Sequence, residues 1–353
     1  MKIALTHVDL PNQSKGGVAH VAHNLGNALI KRGHEVTMWS YSPAFEECLY
    51  RVRQLSQGRR ALKWQSFSFA FELSKVDFSG FDVVHTHGDN YWLRGVPQVR
   101  TFHGAARDEL RSARSLPRKI KQLLLIGLEK RGAQNAALCT GVSRATQQRI
   151  PAISRVISNG VDLMHFTRGK KSPQPTILFV GTSGGRKRGR FLAEIFARAI
   201  KPQFPDAELW SVAEAPLAVT GEGIKPDGII DFGRVSDAEL ARLYREAWVF
   251  CLPSTYEGFG VPYIEAMAAG TAVIASPNAG ALEVLDAEKW GIIAQDDDLE
   301  SALKHLLCNA ADRESLSNRG LERARDYSWE NVVSQYEMAY RDAIEIHKAK
   351  NQS

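Results

Sequence analysis

A glycine-containing turn within residues 253–270 is the part of this 353-residue sequence whose residue types best suit chemistry. Gly258 and Gly260 allow a tight turn and let the backbone approach a ligand closely. Pro262 suits the first position of a helix and Gly270 suits its C′ end, so the turn is predicted to lead into a helix N-terminus. Such an end has free N–H groups and a partial positive charge, and it binds phosphate.

Two carboxylates, Glu257 and Glu265, flank this turn. Glu257 lies on the turn itself, and Glu265 lies about one helical turn inside the predicted helix. A carboxylate binds phosphate poorly, but it accepts hydrogen bonds from sugar hydroxyls well. The pair therefore predicts a phosphorylated sugar as ligand, with one acid on each side of a diphosphate. The alternative is that Glu257 caps the helix and Glu265 only stabilises its dipole.

A second glycine-rich loop, residues 181–189, carries three consecutive cations, Arg186, Lys187 and Arg188. It follows an apolar run that predicts a strand, and it precedes a predicted helix. A departing diphosphate gains negative charge as its bond to a sugar breaks, and fixed cations aimed at it lower the barrier. The alternative is a solvated basic turn.

The elements that position these loops alternate between strand and helix. Residues 2–8 predict a buried strand, residues 18–29 carry apolar side chains at helical spacing, and residues 35–39 predict the next strand. Such a unit implies a parallel sheet. A polar segment with two prolines at residues 169–175 reads as a linker, and the pattern then restarts, with a helix from about Gly189 to Ile200.

The predicted fold is therefore α/β, with two Rossmann-like, doubly wound domains facing a central cleft. Folds of this kind bind ligands at the carboxyl ends of their strands. We place an N-terminal domain at residues 1–168, which would bind an acceptor, and a C-terminal donor-binding domain at residues 175–327. The remaining residues, about 328–353, are predicted to be helical.

Charge divides along nearly the same line. The formal net charge is +6, but residues 1–170 hold 25 Lys and Arg against 12 Asp and Glu, a balance of +13. Residues 171–353 hold 20 Lys and Arg against 27 Asp and Glu, a balance of −7. The basic half suggests an anionic partner, yet it lacks the interleaved aromatic residues of a nucleic-acid platform, so nucleic acid is not expected. The absence of G-x-G-x-x-G after the first strand argues against a nicotinamide enzyme.

Three further features are interpreted as structural. The four cysteines are far apart and predict no disulfide framework, so we expect inert core residues. The acidic run Asp296–Asp298 looks like a metal-binding D-x-D, but it is predicted to be a loop and helix cap before Leu299. His85, His87 and His103 are predicted to be strand-end histidines facing a polar cleft rather than zinc ligands. No metal and no cofactor are expected.

The segment around Glu257 and Glu265 resembles the E-x7-E signature of retaining nucleotide-sugar glycosyltransferases with the GT-B fold, most closely glycosyltransferase family 4. The resemblance covers nearly the whole chain in order and spacing. Its other segments are the loop at Gly16-Gly17 and residues 83–88, 101–104, 158–162, 232–236 and 327–330. The resemblance implies that the C-terminal helix crosses back to pack on the first domain.

The resemblance also implies a role for each matching position. Glu257 would bind hydroxyls of the donor sugar, Glu265 would bind the nucleotide ribose, and His103 would contact the donor sugar near the reacting carbon. The other donor-binding positions would let the backbone approach the sugar and diphosphate: Gly16, Gly17, Gly258, Phe259, Gly260 and Val261.

In the basic loop, Arg186 and Lys187 match the basic residues that relatives place at the diphosphate, ahead of Arg188. The sequence departs from the family pattern at two places. Thr182 occupies the position where an arginine often follows the glycine. Ala213 and Ala215 replace both glycines of a common G-x-G-P turn.

The implied reaction is transfer of a hexose-type sugar from a nucleotide-diphosphate sugar to an acceptor hydroxyl with retention of configuration, in bacterial-type polysaccharide or glycolipid assembly. UDP-linked donors are expected first and GDP-linked donors next. No pair of carboxylates is evident that would flank the bond as in retaining glycosidases, which favours front-face attack. Two alternatives stay open: a nucleotide-sugar epimerase on the same fold, and a non-catalytic sugar-nucleotide-binding module.

Cations of the basic half concentrate in two runs. One is Arg107, Arg111, Arg114, Arg118, Lys119 and Lys121, followed by the apolar residues 123–128 and by Lys130 and Arg131; the other is Arg51, Arg53, Arg59, Arg60 and Lys63 with Trp64. Cations beside apolar residues suit an interfacial helix. We therefore expect a glycan, glycolipid or lipid-linked acceptor at an anionic membrane surface. The alternative is that the leucines are core residues and the cations are solvated.

The predicted strand at Lys2 leaves no room for a signal peptide before it. No apolar run approaches the ~18 residues that span a bilayer. The expected location is cytoplasmic, peripheral on the inner face of the membrane.

Overall fold

The computed structural model describes residues 1–11, 17–56, 65–107, 110, 115–217, 226–286 and 288–352. It divides the chain into two units: Met1–Gly160 with Trp329–Ser353, and Val161–Ser328. The division falls at Gly160 rather than at residue 168. Val161 already belongs to the second unit, because its N–H donates to the carbonyl oxygen of Tyr327 at 2.8 Å and it forms a bridge with Ser328.

The described residues of the first unit form a parallel sheet in the order β3-β2-β1-β4-β5-β6-β7. Its strands are β1 (Lys2–Thr6), β2 (Glu35–Ser40), β3 (Arg51–Gln54), β4 (Val83–Thr86), β5 (Gln98–Phe102), β6 (Leu138–Gly141) and β7 (Arg155–Val156). Its helices are α1 (Gly17–Lys31), α2 (Gln65–Leu73), α3 (Leu116–Asn135), α4 (Arg144–Arg149) and, from the end of the chain, α11 (Trp329–Gln352). The strand order reverses between β1 and β4.

Local sequence signals account for α1. Its apolar residues recur at helical spacing, and Val21, Ala22, Leu25 and Leu29 are buried. Gly33 ends the helix at a φ of +89°, a conformation that glycine adopts without strain. The two closing hydrogen bonds of a Schellman motif follow, from Gly33 to Ile30 and from His34 to Leu29.

The last helix, α11, completes the core of the first unit. Ile3 and Leu5 of β1 share one buried cluster with residues of α1 and with Val332, Val333, Tyr336, Ala339, Tyr340 and Ala343 of α11. A buried polar chain reinforces this packing: the Tyr340 hydroxyl lies 2.8 Å from His85 Nδ1, and His85 Nε2 lies 2.7 Å from Thr101 Oγ1. One ring nitrogen of His85 therefore binds α11, and the other binds the neighbouring strand β5.

The described residues of the second unit form a parallel sheet in the order β10-β9-β8-β11-β12-β13. Its strands are β8 (Thr176–Val180), β9 (Glu208–Val212), β10 (Ile229–Asp231), β11 (Val249–Leu252), β12 (Ala272–Ala275) and β13 (Ile292–Ile293). Its helices are α5 (Gly189–Ile195), which continues as a π-helical turn over Phe196–Ile200, α6 (Asp237–Glu246), α7 (Val261–Ala268), α8 (Ala279–Leu285), α9 (Leu299–Cys308) and α10 (Ala310–Asp326).

Two structural interpretations of the sequence need correction. Cys308 is exposed rather than a core residue, because the buried face of α9 passes through Leu303, Leu306 and Leu307. Asp298 precedes α9 as expected, but its side chain makes no capping hydrogen bond. Within the described part of the chain, every helix is too short or too polar to traverse a lipid bilayer.

Candidate active site

The two loops singled out in the sequence lie at the switch point of the second sheet. Strand β8 is central, β9 and β10 lie on one side of it, and β11 lies on the other. The basic loop follows β8, and the carboxylate turn follows β11. Neighbouring parallel strands thus present both loops at the same edge, where open α/β sheets bind their ligands.

The carboxylate turn is held in shape by Gly260. This residue has a φ of +96°, and a Cβ there would come within 2.3 Å of the Tyr263 ring. Helix α7 starts at Val261, so Pro262 occupies the second helical position rather than the first. Gly270 ends the helix at a φ of +67°. Residues 258–261 therefore form the helix entry to which the sequence assigned donor binding through the backbone.

Glu257 binds both candidate cations of the basic loop. Its Oε1 accepts from the Arg186 guanidinium at 2.8 Å and pairs with the Lys187 ammonium at 2.8 Å. Arg186 also donates to the carbonyl oxygen of Tyr256 at 2.7 Å, and the Thr255 N–H donates to the Arg186 carbonyl oxygen at 2.9 Å. Two loops about 70 residues apart in sequence thus form one assembly of a carboxylate and two cations.

The charges of this assembly depend on one another. Burial raises the pKa of Glu257, but Lys187 and Arg186 outweigh burial and bring that pKa below its usual range. Burial lowers the pKa of Lys187, and Glu257 opposes this effect only in part. Glu257 is 5% exposed, whereas the Arg186 side chain is 52% exposed. The assembly therefore keeps one positive charge in excess, with Arg186 open to solvent.

Arg188 has a different partner from its two neighbours. Its two terminal nitrogens bind the two carboxylate oxygens of Asp296 at 2.8 and 2.6 Å, and its guanidinium lies 4.0 Å from the centre of the Phe191 ring. Asp296 thus neutralises the third cation of the loop. Arg188 is therefore not part of the assembly that Arg186 and Lys187 form with Glu257. Within the acidic run at 296–298, Asp296 has an ion-pairing role.

Glu265 lies on α7, where the Tyr244 hydroxyl donates to its Oε2 at 3.0 Å. Burial raises the pKa of Glu265 to about 7, although Tyr244 and Lys187 favour the ionised form. The group is therefore shared between carboxylic acid and carboxylate near neutral pH. The ionised form accepts hydrogen bonds from hydroxyl groups with both oxygens, whereas the protonated form uses one of them as a donor.

Sequence reasoning missed Asn278 and Gly280, which brace the carboxylate turn. The Asn278 amide donates to the carbonyl oxygen of Ser254 at 3.0 Å and to the Tyr263 hydroxyl at 3.1 Å. The Gly280 N–H donates to the Glu257 carbonyl oxygen at 3.1 Å, and a Cβ on Gly280 would lie 2.5 Å from the carbonyl oxygen of Phe259. The only local signal was an asparagine before an apolar run, which is typical of a helix N-cap.

In the first unit, the structure brings together histidines from the ends of β4 and β5. His87 Nδ1 lies 2.9 Å from His103 Nε2, and the His85 and His87 rings are 4.5 Å apart between centroids. Burial lowers the pKa of His85 and of His103 to about 3. Across the described ranges, no group of three or more His, Cys, Asp or Glu is arranged to hold a metal ion.

The glycines of the first loop are placed only in part. Gly17 is the first residue of α1, and a Cβ there would meet no atom within 4 Å. Gly16 lies outside the described residues, as do Arg111, Arg114 and the cluster at residues 59–64.

Two parallel, Rossmann-like sheets with helices define the GT-B glycosyltransferase fold, and solved structures of such enzymes match it. Sucrose-phosphate synthase of Thermosynechococcus elongatus superposes with a TM-score of 0.79 at 23% identity, covering 96% of this chain and 98% of that one. The Anabaena protein HepE in complex with UDP-glucose superposes with a TM-score of 0.72 at 15% identity, covering 96% of this chain and 99% of that one.

Sequence comparisons identify the family. The family models described as "Glycosyltransferase Family 4" and "Glycosyl transferases group 1" match residues 15–165 and 174–311. An uncharacterised glycosyltransferase of Methanocaldococcus jannaschii is 25% identical over 98% of this chain and 99% of its own length. The MMP α-(1→4)-mannosyltransferase of Mycolicibacterium hassiacum is 31% identical over 74% of this chain and 62% of that protein. The chain therefore belongs to the GT-B glycosyltransferases of the family 4 type.

Proposed function

We propose that this glycosyltransferase moves a hexose-type sugar from a nucleotide-diphosphate sugar to an acceptor hydroxyl, with retention of configuration and without a resident metal. The observation that carries the proposal is the assembly of Glu257, Arg186 and Lys187 at the switch point of the second sheet. It combines an acceptor for sugar hydroxyls with fixed positive charge, and it lies beside a helix N-terminus.

Each part of this assembly has a task in the proposed reaction. Arg186 and Lys187 stabilise the negative charge that builds on the departing diphosphate, so that side chains take the place that a divalent cation would otherwise fill. Glu257 orients the donor sugar through its hydroxyls, and Glu265 does the same for the ribose. These contacts hold the donor in place before the glycosidic bond breaks.

We propose that retention proceeds without a covalent sugar–enzyme intermediate, and the contacts of Glu257 support this. Retaining enzymes with a carboxylate nucleophile hold two carboxyl groups on either side of the bond. Here Glu257 is already engaged by two cations, which stabilise its ionised form but reduce its nucleophilicity. In the proposed mechanism the acceptor attacks from the face that the diphosphate leaves, and a phosphate oxygen takes the acceptor proton.

The proposed donors are UDP-sugars first and GDP-sugars next. The HepE structure contains UDP-glucose, which supports UDP-linked donors on this fold. Several relatives, including the Mycolicibacterium hassiacum protein, are named mannosyltransferases, which supports a hexose. A nucleoside diphosphate with any base offers the basic loop the same phosphates, so the base is distinguished elsewhere in the unit.

Donor binding is tested by thermal denaturation in the presence of UDP-, GDP- and ADP-linked sugars. A bound donor raises the midpoint by mass action, and 100 Kd of ligand stabilises by about 2.7 kcal/mol. The donor that binds is then incubated with candidate acceptors, and NMR of the anomeric proton reports the configuration of the product. Failure of all three classes to shift the midpoint, or a product of inverted configuration, would overturn the proposal.

We further propose that the acceptor is a glycolipid or lipid-linked glycan at an anionic membrane surface, which α3 contacts from the first unit. Its apolar residues at helical spacing are exposed rather than packed in the core: Leu116 (70%), Ile120 (49%), Leu123 (58%) and Leu124 (52%). The same helix carries Lys119, Lys121, Lys130 and Arg131. An apolar stripe with basic neighbours is the composition of a helix that lies in a membrane interface.

Flotation with anionic and neutral liposomes at low salt tests this surface. The double variant Leu123→Ser, Leu124→Ser is expected to bind anionic vesicles less well, because it removes two exposed apolar side chains from the proposed membrane contact. Met338→Ser is the matched control, since Met338 is 50% exposed on α11. Equal binding of all variants, or no binding of the wild type, would exclude α3 as the contact.

A further inference from the structure

His87 occupies a position that the proposed mechanism does not use. It follows β4, it is 8% exposed, and its Nδ1 lies 2.9 Å from Nε2 of His103. The two rings are tilted by 33° with centroids 5.2 Å apart. One hydrogen bond therefore joins the two imidazoles edge to edge, and it fixes the orientation of the His103 ring.

Both rings are neutral at pH 7. Burial lowers the pKa of His103 to about 3, and burial together with His85, His103 and His7 holds the pKa of His87 well below its ordinary value. A neutral imidazole has one nitrogen that donates and one that accepts. The bond between the rings therefore links their tautomers, because the nitrogen that donates in one ring faces the nitrogen that accepts in the other.

The remaining nitrogen of His87 selects between the two arrangements. His87 Nε2 is buried and has no hydrogen-bond partner among the residues that the structure describes. A buried N–H without an acceptor is rarer in proteins than a buried acceptor without a donor. This favours the tautomer of His87 in which Nδ1 carries the proton and Nε2 is unprotonated.

We propose that His87 is a positioning residue that donates from Nδ1 to His103 Nε2 and thereby keeps the His103 proton on Nδ1. His103 then meets its substrate as a hydrogen-bond donor and not as a base. An oxygen of the sugar, or an oxygen of the departing phosphate, is the chemical class of partner that such a donor suits. Only the identity of this partner rests on the proposed function; the tautomer is a property of the free protein.

Nitrogen-15 NMR of the full chain labelled at histidine tests the proposal without any substrate. We expect His103 to show a protonated Nδ1 and a bare Nε2, and His87 the same. In His87→Phe the His103 ring loses its partner and should populate the other tautomer. In His87→Asn the side-chain amide stands near the position of Nδ1 and can still donate, so His103 should keep its tautomer.

Activity gives a second and separate readout. His87→Phe should lower kcat by about 10- to 100-fold, by analogy with the loss of activity found when a partner that orients a metal-ligating histidine is removed. The KM of the donor should change little, and His87→Asn should recover most of the loss. His23→Phe is the matched control, because His23 is 7% exposed in the same unit and its Nδ1 lies 2.8 Å from the Tyr50 hydroxyl.

Two results would overturn the proposal: a proton on Nε2 of His103 in the wild type, or an unchanged His103 tautomer in His87→Phe. If no donor supports transfer, the proposed function fails while the NMR experiment still decides the role of His87. If transfer is intact but the tautomer is wrong, only the present inference fails.

Discussion

Replacement of Lys187 by methionine should abolish most transfer while the second unit remains folded. The Lys187 side chain is 14% exposed, and its ammonium lies 2.8 Å from Glu257 Oε1. Methionine keeps much of the apolar stem but removes the charge. Glu257 retains Arg186 at 2.8 Å, so the buried carboxylate is not left without a partner. The pKa of Glu257 should rise, because Lys187 is the strongest of the groups that lower it.

The size of the effect follows from the burial of the charge. Removal of one fixed group that stabilises a developing anion typically lowers kcat by about 10²- to 10³-fold, or about 2.7–4 kcal/mol. Charges act more strongly where water is excluded. Because Lys187 is nearly buried, we expect a loss toward the upper end of that range.

Arg188→Met is the matched control. It removes the adjacent cation of the same loop, but Asp296 already compensates the charge of Arg188 at 2.6 Å. Such a pair near the surface contributes only about 0–1 kcal/mol to stability, so Arg188→Met should remain folded. Because Asp296 already compensates the charge of Arg188, its removal should lower kcat far less than the removal of Lys187. Initial rates measure kcat and KM for the donor found by thermal denaturation, and circular dichroism checks the fold. Similar losses in both variants, or near wild-type kcat in Lys187→Met, would refute the assignment of Lys187 to the diphosphate.

Three further predictions concern the same unit. Wild-type kcat should fall at alkaline pH earlier than an ordinary lysine would dictate, because the pKa of Lys187 is lowered; Lys187→Arg should remove this limb of the pH–rate profile, since arginine stays charged. Tyr244→Phe removes the bond that favours ionised Glu265, so the pKa of Glu265, about 7 in the wild type, should rise. As the pH falls, protonation of Glu265 should raise the donor KM. In Tyr244→Phe this rise should begin at a higher pH than in the wild type, which titration of KM between pH 6 and 9 would show. Gly280→Ala should displace the carboxylate turn, because its Cβ would lie 2.5 Å from the Phe259 carbonyl oxygen; the expected cost is about 1–3 kcal/mol in chemical denaturation, whereas Gly127→Ala, where a Cβ would meet no atom within 4 Å, should not destabilise.

Elements with strong local signals were predictable from the sequence. The helix α1 was indicated by its apolar spacing and by Gly33, and the helix α7 by Pro262 and Gly270, since caps and periodicity act over a few residues. Strand β3 was missed because Arg51–Gln54 is a short edge strand with little apolar character. The hydrogen bond that joins Val161 to Tyr327 connects distant parts of the chain, so local sequence patterns do not report it.

The candidate site was predictable as a list of residues but not as an arrangement. The family resemblance ranked Lys187 ahead of Arg188 without a physical reason for the difference. The structural reason comes from Glu257 and Asp296, which follow 70 and 108 residues later. The role of Gly280 in bracing the carboxylate turn could not be predicted from the sequence, because it depends on how closely α8 approaches the turn. Such contacts are set by tertiary packing, which single-sequence patterns do not report.

The helix α11 has a consequence for the order in which the chain folds. The second unit is a continuous segment, Val161–Ser328, whereas the first unit needs Trp329–Ser353 to complete its core. During synthesis, all residues of the second unit leave the ribosome before the first unit can bury Ile3 and Leu5 against Val332 and Tyr340. Domains usually fold from the N-terminus onward during synthesis. In this protein the segment made first must wait for the segment made last, so the C-terminal unit is the one expected to fold first.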